Sequence, residues 1–343
     1  MSRIVKSAGE ALRASHPTVV AVGTYIMDVL GRPIADLPRG QSSRLLEEIC
    51  ATPAGTAGGT AVDLARLGAS VRACGAVGED LAGDFVVGSL RAAGVDTAGL
   101  RRVPGVQTSS TILPIHPDGS RPAWHVPGAN SVFCSDHVDW AAIDAADAVH
   151  LGGLTALPAL DGVPAAALLA RARGRGALTT VDFLGVHGDA ASLLAPVMPH
   201  VDIAMPNEAE VLAIGPDRDC VSAAQRLRGL GARCVIVKRG EDGCLIVDDA
   251  GMRTLAGIRA TVVDTTGCGD AFCAGVIVAR LAGWPIDDAA ALGCATGALN
   301  LRGLGSGAGA RTIDEALEFL RKSPAPDARG IEVAGTGELA GAS

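Results

Sequence analysis

The stretch Val262–Gly283 reads VVDTTGCGDAFCAGVIVARLAG. An apolar run, read as a strand, ends in Asp264. Small residues lead to Gly267-Cys268-Gly269, then to Asp270, then to a long apolar helix. The two glycines let the chain bend so that successive N–H groups point outward from the start of the helix, which makes an anion site. Asp270 falls in the first turn of that helix. A carboxylate there can take a proton from a hydroxyl that attacks a bound phosphate. The plain alternative is a helix cap with glycines that serve only the turn. No G-x-x-x-x-G-K-[ST] loop occurs in the chain, and GCGDAF fails the dinucleotide pattern at its sixth position, so the two commonest phosphate-binding motifs are absent.

Outward from this stretch, the chain alternates strands and helices. Thr18–Gly23, Val71–Gly78, Ala148–Leu151, Leu178–Asp182, Ile203–Met205 and Val235–Val237 are short apolar runs expected to be buried strands. Helices are expected over Thr60–Gly68, Asp80–Ala93, Pro164–Arg173, Ala190–Met198, Glu208–Ile214, Val221–Leu230, Cys268–Ala282, Asp287–Leu299 and Thr312–Arg321. Cys244–Val247 and Thr254–Leu255 read as an antiparallel pair. Such alternation implies a three-layer α/β/α domain around a mostly parallel sheet. Segments near 25–53 and 108–127 do not fit that sheet and are expected to form a small β-sheet lid. A domain over 18–323 then leaves an extension at 1–17 and a loose tail at 324–343.

Composition narrows the function. Net charge is −8, which argues against nucleic acid as a partner. No apolar run approaches the length of a membrane span, and no signal peptide is visible at the start. Nine cysteines without C-x-x-C pairs fit free thiols in a reducing cytoplasm. Aromatics make up only 3%, so the core must be built from Ala, Val, Leu and Ile. Of the 29 basic residues only Lys6, Lys238 and Lys322 are lysine, which singles out Lys238 in the chain interior.

DTTGCGDAF resembles the C-terminal signature of the ribokinase/PfkB family of carbohydrate and nucleoside kinases. Ala57–Thr97 resembles the family's N-terminal signature region. Pro206-Asn207-Glu208-Ala209-Glu210 is similar to its N-x-x-E metal motif, Lys238-Arg239-Gly240 to its K-x-G nucleotide loop, and Gly128-Ala129-Asn130 to its G-A-N element. The likeness runs from about residue 18 to 322. It implies an ATP- and Mg²⁺-dependent kinase that phosphorylates a small sugar, with a nucleoside kinase resembling adenosine kinase, or a catalytically silent binding protein, as alternatives. Asp270 would be the base, and Gly267, Cys268 and Gly269 the anion hole. Asp28, Gly58 and Gly59 would meet the acceptor, the two glycines from a loop. Asp63 stands where the family often has Asn and would bond a hydroxyl of the acceptor from that place, or else face elsewhere. Asn207 and Glu210 would hold Mg²⁺, largely through water, while Asn207, Lys238, Gly240 and Asn300 lie along the nucleotide. Asp264 and Thr266 would mark a monovalent-cation site for K⁺. The resemblance also favours a homodimer through the lid. Arg32, Arg39 and Arg121 lie in lid segments, where a phosphorylated acceptor would need cations. A helix N-terminus is expected to lower the Cys268 thiol pKa and leave it the most alkylation-prone of the nine cysteines.

Overall fold

The computed structural model describes residues 16–36, 38–117, 120–186, 190–323 and 329–330. The chain begins with β1 (Thr18–Gly23), β2 (Ile26–Arg32) and β3 (Glu48–Ala54), then α1 (Thr56–Arg66), β4 (Ser70–Gly78) and α2 (Leu81–Ala92). Next come β5 (Asp96–Val103), β6 (Ser110–Pro114), β7 (Trp124–Val126), α3 (Trp140–Ala145), β8 (Ala148–Leu154), α4 (Val163–Gly174), β9 (Leu178–Phe183) and α5 (Ala190–Leu194). Then follow β10 (Ile203–Ala204), α6 (Glu208–Ala213), α7 (Cys220–Gly229), β11 (Cys234–Lys238), β12 (Cys244–Asp248) and β13 (Gly251–Leu255). The last elements are α8 (Cys268–Leu281), α9 (Ile286–Asn300), α10 (Ile313–Lys322) and β14 (Arg329–Gly330).

Ten strands form the main sheet in the order β14-β13-β12-β11-β10-β9-β8-β1-β4-β5. Pairing is parallel from β5 through to β11 and antiparallel from β11 to β14. Side chains alternate across the sheet. Val19 and Ala21 of β1 pack into the layer that contains α1, α8 and α9, while Val20 and Val22 pack into the layer of α4 and α7. A core poor in aromatics closes by bringing backbones together. A Cβ added to Gly275 of α8 would stand 2.5 Å from Thr296 Oγ1 and 3.0 Å from Gly293 Cα, both on α9. The two helices are in contact through glycine and alanine.

β2, β3, β6 and β7 form a separate four-stranded sheet, as expected of the lid. Five local expectations change. α1 begins at Thr56, four residues early, so Gly58 and Gly59 lie within a helix and not in a loop. The expected strand before Asp264 is absent, because Asp264 is drawn into a loop by side-chain hydrogen bonds. β5 and α3 went unread: β5 is an edge strand whose alternation is broken by charge and by Gly99, and α3 has only six residues. The helix expected to reach Met198 ends at Leu194. Residues 1–15 of the expected extension lie outside the described residues, as does most of the tail; within the tail, Arg329 and Gly330 pair with Thr254 and Arg253.

Candidate active site

Parallel strands place their C-terminal ends along one rim of the sheet, where open α/β folds bind ligands. Asp182 at the end of β9, Asn207 just after β10 and Lys238 at the end of β11 lie on this rim. α8 starts close by, with its first turn near Lys238 and α1. Gly267 is its N-cap at φ 78°, a left-handed conformation that favours glycine.

Asp270 is 8% exposed. Its carboxylate abuts α1 so closely that a Cβ on Gly59 would lie 2.1 Å from Asp270 Oδ2. Thr60 Oγ1 donates to the Asp270 carbonyl at 3.4 Å, which ties the two helices together. Burial is the largest influence on the Asp270 carboxyl and pushes its pKa well above the usual carboxylate range. Asp182, Asp63 and Asp28 push it the same way, and Lys238 opposes them.

The lid contributes a row of polar residues. Asp28 on β2 pairs in register with Thr52 on β3 and with Thr111 on β6, and Thr111 pairs with His125 on β7. Paired residues share a face of the sheet, so Thr52, Asp28, Thr111 and His125 form one line across it. Thr111 Oγ1 lies 3.0 Å from His125 Nδ1. Burial raises the Asp28 carboxyl to about 6, against a Thr111 hydrogen bond and the charge of Arg121. Arg121 reaches out of the lid and donates from Nε to Thr265 Oγ1 at 2.9 Å, joining the lid to the loop before α8. Arg32, by contrast, pairs with Glu48 at 2.9 Å within the lid.

Asp63 lies on α1, and burial lifts its carboxyl to about 7, with Arg66 opposing. Its Oδ2 is buried and, among the described residues, has no hydrogen-bond partner; the same holds for Thr52 Oγ1. Buried polar atoms without partners are costly, and a hydroxylated ligand would satisfy them.

The N-x-x-E segment forms a reciprocal cap at the start of α6. Asn207 Oδ1 accepts from the Glu210 N–H, and Glu210 Oε2 accepts from the Asn207 N–H, each at 2.8 Å. Burial and the nearby Asp182 push Glu210 up to about 7. A buried carboxylate in that state favours a compensating cation. Among the described residues, no group of three or more His, Cys, Asp or Glu is placed to hold a metal. The buried Glu210 carboxylate beside Asp182 suits an ion such as Mg²⁺ that takes most of its ligands from water and nucleotide phosphates.

Asp264 Oδ1 accepts from the Thr266 N–H at 3.0 Å and Oγ1 at 2.9 Å, and Oδ2 accepts from the Gly305 N–H at 2.8 Å. Asn300 is fully buried and donates from Nδ2 to the Thr266 carbonyl at 2.6 Å. These bonds pin the loop on their own. Gly240 takes φ 57° at the turn after β11, in open space. Burial pushes the Cys268 thiol up to about 12, with Asp264 and Asp270 adding to the rise and an Asn300 hydrogen bond opposing it. Desolvation thus works against the activated thiol that the helix N-terminus led us to expect.

Residues 16–313 match the description pfkB family carbohydrate kinase. The chain belongs to this family. It is an ATP-dependent carbohydrate kinase with the ribokinase-like fold. It is similar to an ATP-dependent ribose-1-phosphate kinase of Halopiger xanaduensis, with 29% identity over 307 residues, 88% of this chain and 97% of the relative. A cytidine kinase of Thermococcus kodakarensis is 29% identical over 248 residues, covering 70% of this chain and 84% of its own. The structure of Arabidopsis thaliana ribokinase complexed with ribose and ATP superposes with a TM-score of 0.75 at 23% identity, over 89% of this chain and 98% of that one.

Sequence reasoning missed Asp182 and the lid residues Thr111 and His125. Asp182 carried a usable signal, since it is the lone acid at the end of an apolar strand, as Asp264 was read to be. The lid residues carried none, because only sheet register lines them up.

Proposed function

We propose that the chain transfers the γ-phosphate of Mg·ATP to a primary hydroxyl of a small sugar held between the lid row at Asp28 and the pair Gly59–Asp270. The observation that carries this reading is the Asp270 carboxylate, lodged against Gly59 in the first turn of α8, with the charge of Asp63, whose Oδ2 is unpartnered, bearing on it. Asp63 and Asp28 bind and orient the sugar hydroxyls. Asp270 takes the proton of the attacking hydroxyl as its oxygen bonds to phosphorus and the bond to the ADP oxygen breaks. The N–H groups of Gly267 and Gly269 would meet the charge that develops on the transferred phosphoryl group, while the Cys268 N–H donates to the Thr265 carbonyl at 3.3 Å and would have to leave it to join them. Asn207 and Glu210 are the residues that would hold Mg²⁺ through its waters. When bound, the ion neutralises charge on the phosphates. Lid closure excludes water that would otherwise compete with the sugar.

Aromatic placement favours a sugar over a nucleoside. Tyr25 and Phe133 are fully buried, and Tyr25 spends its hydroxyl on the Ala21 carbonyl. Arg121 favours a second reading, in which the sugar carries an anionic group, as the name of the Halopiger relative also suggests. ADP release should be measured with ribose, fructose, ribose 1-phosphate and cytidine. A sugar or sugar phosphate is expected to give the highest kcat/KM, and a clear preference for cytidine would overturn the reading. The outer lid face exposes Ile49, Ile112 and Trp124, which supports a homodimer through the lid. The nine cysteines are free thiols, which supports a reducing, cytoplasmic setting.

Glu210→Gln is expected to raise the Mg²⁺ concentration for half-maximal rate about tenfold, the scale seen when groups behind a metal's ligands are lost. Asn207→Ala should act in the same network, so the double variant should fall short of the sum. Mg²⁺ titrations of the three variants decide it. Curves that match wild type would remove this segment from the site.

A further inference from the structure

The loop from Gly303 to Gly307, between α9 and α10, meets the lid, α1 and the start of α8 at once. Towards the lid, Leu304 packs against a small apolar cluster of Leu30 on β2, Leu113 on β6 and Ile115, as does Cys50 of β3. Of these five residues, Leu304 alone comes from outside the lid. A Cβ on the next residue, Gly305, would stand 2.6 Å from Thr52 Cγ2 of β3. Towards α1, the Gly307 carbonyl accepts from Arg66 Nη1, and a Cβ on Gly307 would stand 3.1 Å from Val62 Cγ1. Towards α8, the Gly305 N–H donates to Asp264 Oδ2 at 2.8 Å, and Asp264 Oδ1 in turn holds Thr266, the residue before the N-cap Gly267. Ser306 braces that cap, since a Cβ on Gly267 would lie 2.6 Å from Ser306 Cα.

Lid register shows which face of the lid this loop touches. Leu30 pairs with Cys50 on β3 and with Leu113 on β6. Leu30 is two residues from Asp28, so both side chains lie on one face of the sheet. The apolar row Cys50, Leu30, Leu113 therefore runs beside the polar row Thr52, Asp28, Thr111. Leu304 sits against the row next to the polar one, and Gly305 abuts the polar row itself at Thr52.

We propose that Leu304 is a positioning residue that couples the acceptor on the lid to the phosphate site at the start of α8. A sugar that spans the lid row and the pair Gly59–Asp270 binds well only when the lid is seated, which supplies the differential affinity such a coupling needs. The seated lid holds Leu304 in its apolar cluster. Leu304 then keeps the Gly305 N–H on Asp264, and Asp264 keeps Thr266 and the turn at Gly267 in place. Each ligand thus favours the arrangement that the other requires, and each raises the affinity for the other by the same factor. Leu304 acts through the lid and Gly305 and need not touch either ligand. The inference rests on the reading of the lid row as the acceptor site and of the start of α8 as the phosphate site.

Titration calorimetry with the non-hydrolysable analogue Mg·AMP-PNP, alone and with saturating acceptor, reads the coupling directly. The acceptor is whichever of ribose, fructose, ribose 1-phosphate and cytidine gives the highest kcat/KM. In wild type it is expected to tighten Mg·AMP-PNP about tenfold, within the usual range of coupling between sites. Leu304→Ala is expected to bring that ratio close to one, while each ligand alone binds as in wild type. Leu304→Met conserves the volume and should restore the ratio. A merely structural role would lower the melting temperature of Leu304→Ala and leave the ratio unchanged. Should Leu304→Ala fail to fold, Leu304→Val removes one methylene and must show a smaller loss in the same direction. A wild-type ratio of one, or a Leu304→Ala or Leu304→Val enzyme that keeps the full ratio, overturns the proposal. Failure of the sugar reading is seen separately, as a preference for cytidine, and the coupling is then read with cytidine.

Discussion

Asp270→Asn is expected to fold, to bind Mg·ATP with unchanged affinity, and to lose turnover by about 10²- to 10⁴-fold, the range for removal of a general base. The amide has the shape of the carboxylate and fits the same slot against Gly59. What it lacks is the capacity to accept the hydroxyl proton. Stability should not fall. Asp270 is 8% exposed and feels the charges of Asp182, Asp63 and Asp28, so its carboxylate is a costly group to bury. A neutral amide relieves that repulsion, and the melting temperature should equal or exceed that of wild type. Nucleotide titration, thermal melting and single-turnover rates separate these effects. A near-native rate on the best acceptor would show that another group takes the proton. Loss of rate together with loss of fold would contradict the electrostatic account of the site.

The layered fold was legible because its signals are local and periodic. The apolar runs at Thr18–Gly23, Val71–Gly78 and Val235–Val237 are all strands of the main sheet, and the glycine-flanked start of α8 fell where it was read. The lid could be recognised by its failure to match the main sheet. Register within the lid could not be read, because Thr52, Asp28, Thr111 and His125 come from four separate segments. The charges of the site were only half legible. Asp28, Asp63 and Asp270 each stood in a recognisable motif, but their mutual repulsion depends on distances that no spacing encodes. Cys268 shows the same limit. Its place at a helix N-terminus suggested a reactive thiol, while burial, which is a tertiary property, pushes the thiol up to about 12. Gly58 and Gly59 were flagged as the acceptor loop, yet they belong to α1, because Thr56 starts the helix immediately after a left-handed Gly55.

That relocation leads to the second large effect. Gly59→Ala is expected to lower kcat by about 10²-fold or more, since a displacement of about 1 Å at a reacting group has that consequence. Within a helix, alanine is the better residue by about 1 kcal/mol, so propensity alone predicts a more stable protein. The new methyl, however, would stand 2.1 Å from Asp270 Oδ2, 2.8 Å from its Cγ and 3.0 Å from its Cβ. No rotation of the carboxylate relieves the Cβ contact. Either the side chain leaves its slot or the start of α8 moves away from α1, and both take the base from the acceptor. The adjacent position is the control. A Cβ on Gly58 would approach the Tyr25 ring at 3.3 Å, a tight contact with a side chain and not with the base. Gly58→Ala should therefore cost stability more than rate, and Gly59→Ala rate more than stability. Thermal melts and steady-state kinetics on the two variants read both quantities. Equal losses of rate at the two glycines, or a Gly59→Ala enzyme with native kcat, would mean that the Asp270 carboxylate does its work from somewhere other than the slot beside α1.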